Sequence, residues 1–129
     1  MNYIIDTYGW VEYIDGSKKG EIVKKIIEDN NNKIITLECC VTELRIFCIK
    51  KNIDFDKVFY LIKANSYIFP VLIDTWLEAA KIKAEIRKNR PGFGIIDALL
   101  IAKQKENNAK VISGDPHFKG LKNILYIGN

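Results

Sequence analysis

The chain has 129 residues, 48% of them hydrophobic, which is enough to bury a core in one domain spanning residues 1–129. Twenty lysines and arginines against sixteen acidic residues give a net charge of +4, a mild excess that is compatible with a nucleic-acid partner but does not require one. The even spacing of hydrophobic residues argues against disorder, and the lack of a signal-like start or an apolar run of about eighteen residues predicts a soluble cytoplasmic protein without a membrane span.

The cysteines and the histidine narrow the choice of metal. Cys39, Cys40 and Cys48 form neither an even set nor a CxxC pair, which argues against disulfides and favours a reducing compartment. His117 is the only histidine, so the usual nitrogen and sulfur ligands of structural zinc cannot be assembled. We therefore expect any metal to be held by oxygen atoms.

The first half of the chain alternates short apolar runs with segments of helical period. The predicted elements are strands at 3–5 and 33–36 and helices at 7–14, 18–30, 37–52 and 54–64. Asp54 is predicted to be the N-cap of the last of these helices, which makes it a structural acid. Phe55, Phe59 and Tyr60 make that helix more aromatic than a small core requires, which is thin support for a partner surface.

The second half continues the alternation. It predicts strands at 67–73, 110–113 and 124–127, a helix at 74–88 and a second helix after a loop at 89–94. Pro70 lies within the first of these strands and predicts that it is an edge strand or contains a bulge. Asp74 is predicted to cap the helix that follows. The apolar positions of that helix are Leu77, Ala80, Ala84 and Ile86. Strands that alternate with helices predict an α/β fold with a parallel sheet covered on both faces.

Asp97 lies within a run, Ile95 to Ala102, that is apolar on all sides and predicts a buried helix. A carboxylate taken out of water needs hydrogen bonds, a cation or a proton, and no lysine or arginine occupies the positions one helical turn away. Asp97 is therefore a candidate metal ligand. The alternative is a first-turn acid that only caps the helix and favours its dipole.

Four acids are predicted to share one edge of the sheet. Asp6 ends the first strand, Glu43 lies early in the helix after the second, Asp115 follows the fourth, and the Asp97 helix starts at the same edge. Like charges this close need a compensating cation, and oxygen ligands favour Mg²⁺ or Mn²⁺. The chemistry that suits such a centre is hydrolysis of a phosphodiester.

Each of these residues also has a simpler interpretation. Asp6 could only cap the next helix, Glu43 could be a solvated helix residue, and Asp115 could belong to an ordinary turn. Ser113 could donate to Asp115 or to a metal-bound water, or could be only a polar strand end. His117 is more often a turn residue than a ligand in this setting, although it stands where it could touch a substrate phosphate. The shared edge is what favours the joint interpretation.

The order of these motifs resembles the PIN-domain nucleases, most of all the small VapC-type toxins and their stand-alone relatives. The motifs are IIDT at 4–7, TEL at 42–44, IDALLIA at 96–102 and ISGDPHF at 112–118. The resemblance implies a compact three-layer α/β/α sandwich with four to five parallel strands. It also implies that Asp6, Glu43, Asp97 and Asp115 bind Mg²⁺ or Mn²⁺ and cleave RNA, with Ser113 at the hydroxyl position before the last acid.

The same resemblance implies a homodimer and, for the toxins, a protein antitoxin. One departure is Tyr8, because many relatives carry a small hydroxyl residue two places after the first acid. The segment 81–90 carries five positive charges, and Arg87, Lys88 and Arg90 are predicted to hold RNA phosphates. The alternative for these residues is a solvated helix face that the dipole favours.

Other functions fit the sequence less well. A phosphatase with a strand-end aspartate as nucleophile requires a second aspartate at the position that Tyr8 occupies. A receiver domain requires paired acids near the first strand, and these are missing. A stand-alone PIN nuclease in RNA processing and a non-catalytic RNA-binding module remain open alternatives. The intact acids argue against the non-catalytic module.

Overall fold

The computed structural model describes residues 1–129 and has five strands and six helices. The strands are β1 Asn2–Ile5, β2 Lys33–Leu37, β3 Tyr67–Phe69, β4 Ala109–Ser113 and β5 Ile124–Tyr126. The helices are α1 Thr7–Asp15, α2 Lys18–Glu28, α3 Glu38–Lys51, α4 Phe55–Asn65, α5 Ile73–Ile86 and α6 Ile95–Asn107, and a 3₁₀ turn spans Pro116–Phe118. No helix combines the length and the apolar character needed to cross a bilayer.

The strands form one sheet in the order β3-β2-β1-β4-β5, and every neighbouring pair is parallel. At its centre, Ile4 of β1 pairs with Ile35 of β2 on one side and with Val111 of β4 on the other. All five strands therefore end at one edge, from which α1, α3 and the 3₁₀ turn depart. The predicted parallel sheet of four to five strands is confirmed.

Each face of the sheet carries its own hydrophobic core, because successive side chains on a strand point to opposite faces. Ile4 and Val111 pack under α5 and α6, whereas the neighbouring Ile5 and Ile112 pack on the side of α1 to α4. Trp10 is fully buried in the second core and donates its indole N–H to Thr36 Oγ1 at 3.1 Å. The three-layer α/β/α sandwich is thereby confirmed.

The third strand and the helix after it differ from the prediction. β3 stops before Pro70, which cannot donate to the ladder, and the N–H of Val71 instead donates to Glu38 Oε1 at 2.9 Å. Leu72, not Asp74, is the N-cap residue of α5, so the predicted capping role of Asp74 is wrong. Asp54 does cap α4, accepting from Asp56 N–H at 3.0 Å, as predicted.

Three of the four apolar positions predicted for α5 lie outside its buried face. Leu77, Ala80 and Ala84 are exposed, Ile86 packs against the core as predicted, and the helix also buries Thr75, Ala79 and Ile82. Burial of the Thr75 hydroxyl is possible because it donates to a carboxylate oxygen of Glu106 at 2.5 Å. Helix α5 thus leaves an apolar stripe in solvent.

Candidate metal centre

Asp6 is fixed at the exit of β1 by the start of α1. It is the N-cap residue of that helix, and its Oδ1 accepts the N–H of Gly9 at 2.8 Å. Its side chain is almost entirely buried, with 5% of the residue exposed. The capping role considered for Asp6 is therefore real, and it holds the carboxylate at the carboxyl edge of the sheet.

Asp97 and Asp115 are also held by local backbone contacts. Asp97 is the third residue of α6, and its Oδ2 accepts the N–H of Gly94 at 2.9 Å. Asp115 precedes the 3₁₀ turn, and its Oδ1 accepts the N–H of His117 at 2.9 Å. The second oxygen of each carboxylate accepts no hydrogen bond from the chain. Capping and convergence are thus compatible, because each carboxylate has two oxygens.

All four predicted acids line one cleft of about 80 Å³ at the carboxyl edge. The cleft is lined by Asp6, Thr7, Tyr8, Glu43, Ile96, Asp97, Leu100 and Asp115. Asp97, Asp115 and His117 form its tightest group, with possible ligand atoms within 4.8 Å of one another. Asp6 and Glu43 face the same cleft but lie outside that group.

Glu43 is the most exposed of the four acids, and its position depends on α1. The hydroxyl of Thr7 donates to Glu43 Oε1 at 2.7 Å and so connects the first turn of α1 with α3. Sequence reasoning did not identify Thr7. The sequence feature that could have identified Thr7 is its position directly after Asp6, at the same edge of the sheet.

The electrostatics of the cleft favour a bound cation. Burial raises the pKa of Asp6 to about 7 against the lowering by hydrogen bonds from Ser113 and Gly9, and the charges of Asp115 and Asp97 raise it further. No lysine or arginine forms an ion pair with any of the four acids. Oxygen donors with this much uncompensated negative charge are a donor set that fits Mg²⁺ or Mn²⁺.

A family comparison identifies the chain. The model of the PIN domain family matches residues 3–123, nearly the whole sequence. The chain belongs to the PIN domain family. The resemblance to PIN-domain nucleases seen in the motifs is thereby confirmed, whereas a comparison with curated protein sequences finds no match.

Solved structures with the same fold include chains of toxin-antitoxin complexes and one protein described as a toxin. The PIN domain is similar to a chain of a toxin-antitoxin complex from Klebsiella pneumoniae, with a TM-score of 0.75, 13% identity and 97% of each chain covered. It is similar to a chain of VapBC2 from Rickettsia felis bound to a promoter DNA fragment, with a TM-score of 0.73, 14% identity and coverage of 98% and 97%. For VapC20 of Mycobacterium tuberculosis, described as a sarcin-ricin loop cleaving toxin, these values are 0.68, 14%, 88% and 91%.

Two further polar residues of the PIN domain organise its acids. Ser113 is buried at the end of β4, where its Oγ accepts the N–H of Asp115 at 3.0 Å and its hydrogen bond to Asp6 lowers the pKa of that carboxyl. His117 Nδ1 lies 3.2 Å from Asp97 Oδ2 and 3.5 Å from Asp115 Oδ1. The imidazole therefore bridges two acids, a role that sequence reasoning missed. Its spacing of two residues after Asp115 was the available signal.

The basic residues after α5 have mixed environments. Arg90 donates to the carbonyl oxygens of His117 at 3.0 Å and Lys119 at 2.7 Å, so its guanidinium ties the loop before α6 to the loop after β4. Lys88 pairs with Glu85 at 3.3 Å on the surface, and Arg87 is exposed at the end of α5. Contact of these three residues with phosphates stays a prediction.

Proposed function

We propose that this PIN domain is a metal-dependent endoribonuclease that hydrolyses phosphodiester bonds of RNA, with Mg²⁺ or Mn²⁺ held by Asp6, Glu43, Asp97 and Asp115. The observation that supports it is the convergence of four carboxylates on one cleft in which no lysine or arginine pairs with them. Carboxylates that lie this close together and partly out of water destabilise the fold unless a cation is bound to them. RNA as substrate is supported by the similarity to a toxin described as cleaving the sarcin-ricin loop.

The protein side chains would orient the reaction. A bound dication would supply a water of lowered pKa and stabilise negative charge on the phosphate. Asp97 and Asp115 each keep one oxygen free of chain hydrogen bonds and so are available as ligands. His117 fixes the other oxygen of Asp97 in place, as an outer partner of a ligand does.

Cleavage of RNA by protein with Asp97→Asn tests the proposal. The asparagine oxygen can still accept from Gly94, so α6 stays capped, but one negative ligand is lost. Cleavage with Mg²⁺ or Mn²⁺ should fall by more than the roughly 100-fold typical of losing an outer contact, and chelator should abolish it in unaltered protein. Asp74→Asn, an exposed acid on α5, is the matched control and should cleave normally. Equal cleavage by the unaltered and Asp97→Asn proteins, or in chelator, would refute the assignment.

The proposal extends to a VapC-type toxin that is paired with a protein antitoxin. Its support is that the chain is similar to structures that are themselves toxin-antitoxin complexes. A stand-alone PIN nuclease would share the cleft but need no such partner.

A homodimer is proposed through the apolar stripe of α5, formed by Ile73, Leu77, Ala80 and Ala84. Ile73 is 69% exposed and Leu77 is 60% exposed, and the spacing of four, three and four residues puts all four on one line of the helix. In an antiparallel pair of α5 helices centred between residues 78 and 79, Ile73 would face Ala84 and Leu77 would face Ala80 of the second copy. Large residues would then meet small ones along the whole stripe, as a two-fold contact requires.

The match of large with small residues along the stripe, and not charge, is what favours a second copy of this chain. On the flank of the stripe Lys81 already pairs with Glu78 of the same helix at 3.9 Å, and Glu85 lies on that flank towards the end of α5. We therefore take a second copy of this chain as the occupant of the stripe.

A further inference from the structure

Tyr8 connects the metal cleft with a lysine on its rim. The residue lines the cleft, and its ring lies so close to Gly114 that an added Cβ there would be 2.1 Å from the ring atom Cε1. The phenol oxygen accepts a hydrogen bond from Lys19 Nζ at 3.1 Å. Lys19 is thus hydrogen-bonded to Tyr8, and the Tyr8 ring packs against Gly114, the residue before Asp115.

A second lysine and tyrosine continue this surface. Lys119 Nζ lies 5.9 Å from the centre of the Tyr126 ring, and Lys119 follows the 3₁₀ turn that contains His117. An added Cβ at Gly128 would lie 2.2 Å from the phenol oxygen of Tyr126 and 2.5 Å from the carbonyl oxygen of Gly114, so Tyr126 and Tyr8 both lie against Gly114 and the two lysine-tyrosine pairs are neighbours. We call Tyr8, Lys19, Lys119 and Tyr126 the rim cluster.

The lysines of the rim cluster form no ion pair with an aspartate or glutamate, a property that they share with most lysines of the chain, and only Lys81, Lys88 and Lys103 lie within 4.0 Å of a glutamate oxygen. The pKa of Lys19 is raised first by its hydrogen bond with Tyr8 and less strongly by the charge of Glu12. Lys19 donates to the phenol oxygen of Tyr8, and Lys119 donates to a main-chain oxygen of Asn129 at 3.4 Å. Lys19 and Lys119 therefore place two positive charges beside a cleft that is negative inside, with no aspartate or glutamate paired to either.

We propose that Lys19 and Lys119 bind the RNA phosphate adjacent to the one that is cleaved, and that Tyr8 is a positioning residue for Lys19. This inference rests on the proposed ribonuclease function. A strand that enters an acidic cleft needs positive charge beside it, and lysine is a compact phosphate ligand. A lysine already held by a phenol loses less side-chain entropy on binding than a free one. The rim cluster thus sets the path of the strand on the Gly114 side of the cleft.

RNA binding by lysine variants tests this inference. Binding of a short single-stranded RNA is measured against salt concentration in Asp97→Asn protein, so that the RNA stays intact. Adding Lys19→Met should weaken binding roughly tenfold, the value of one charged hydrogen bond. The slope of log affinity against log salt should fall by about 0.7, as expected for one lost phosphate contact on a single strand. Lys18→Met, the preceding exposed lysine on α2, is the matched control and should change neither quantity.

A neutral linkage in the RNA locates the contact. One methylphosphonate is moved along the strand, linkage by linkage, and binding is measured for each position. At one linkage the loss of charge should weaken binding to protein with Lys19 and leave binding to Lys19→Met unchanged. Tyr8→Phe, which removes only the phenol oxygen, should reproduce part of the Lys19→Met loss at that same linkage. Lys119→Met should behave as Lys19→Met does, with exposed Lys122→Met as its control.

The two proposals fail in distinguishable ways. The inference is overturned if unaltered protein cleaves RNA with Mg²⁺ or Mn²⁺ but each methylphosphonate weakens RNA binding equally in proteins with and without Lys19. The rim cluster would then be only a solvated surface. If unaltered protein neither binds nor cleaves RNA, the ribonuclease assignment is overturned and the rim inference with it.

Discussion

Single residues of the acidic cleft serve the fold and the proposed chemistry together. Asp6 and Asp97 cap helices, and Asp115 stabilises a turn, yet all three reach the same cleft. Their convergence could be predicted because chain position alone places each at the carboxyl edge of a parallel sheet. The bridge made by His117 could not, because it depends on how two loops fold against each other.

The pH dependence of stability should reveal the burial of Asp6. Because its folded pKa of about 7 lies above the ordinary 3.8, the native state favours the protonated form. In chelator, this group should therefore cost no stability below pH 4 and an increasing amount as pH rises to 7, reaching about 4 kcal/mol at most. Asp6→Asn, which keeps the acceptor for Gly9, should remove that loss.

Chemical unfolding of both proteins from pH 4 to pH 8 measures this difference. The stability gain of Asp6→Asn over unaltered protein should grow with pH and level off above 7. A gain that is the same at every pH would mean that the Asp6 carboxyl is ionised normally in the fold.

His117 should act on metal binding through the acids that it bridges. His117→Gln removes the imidazole contacts to Asp97 and Asp115 and leaves the four predicted ligands in place. Loss of such an outer partner typically weakens metal binding about 10- to 100-fold. Mn²⁺ titration by calorimetry measures the change directly. Unchanged Mn²⁺ affinity would show that the imidazole is not needed to orient these carboxylates.

Elements differ in how well their hydrophobic pattern predicts their location in the fold. The strands β1 and β4 could be predicted because successive residues of each are apolar, which occurs when both faces of a sheet are covered. Helix α5 is harder, because it carries two apolar faces. Its outer stripe includes Leu77, whereas its inner face includes the polar Thr75 beside Ala79 and Ile82. Hydrophobic period alone cannot tell a core from a contact surface.

Loops explain most of what the sequence did not predict about the site. The charge of Arg90 predicts phosphate binding, but two of its nitrogens donate to the carbonyl oxygens of His117 and Lys119. Nothing in the local pattern around Thr7 predicts that its hydroxyl donates to Glu43. Such contacts depend on the relative placement of distant segments, which local periodicity does not encode.

For the whole molecule, the sandwich places the proposed catalytic surface and the proposed dimer surface on different sides. The cleft and the rim cluster lie at the carboxyl edge of the sheet, whereas the stripe of Ile73, Leu77, Ala80 and Ala84 runs along the outer side of α5. A partner bound on that stripe would therefore contact none of the side chains that line the cleft. Assembly and catalysis can then be tested with separate variants.

The proposed dimer should dissociate when its stripe is charged. Leu77→Glu puts a carboxylate opposite the second copy's Ala80, where it would be desolvated without a cation, so the dimer should weaken by roughly tenfold or more. Analytical ultracentrifugation over a range of concentrations measures this. Ile22→Glu, at a residue 44% exposed in the other helix layer, is the matched control and should remain dimeric. Ala80→Leu should also weaken the dimer, by overfilling the position that faces Leu77. A monomeric unaltered protein, or equal association by Leu77→Glu, would exclude α5 as the contact.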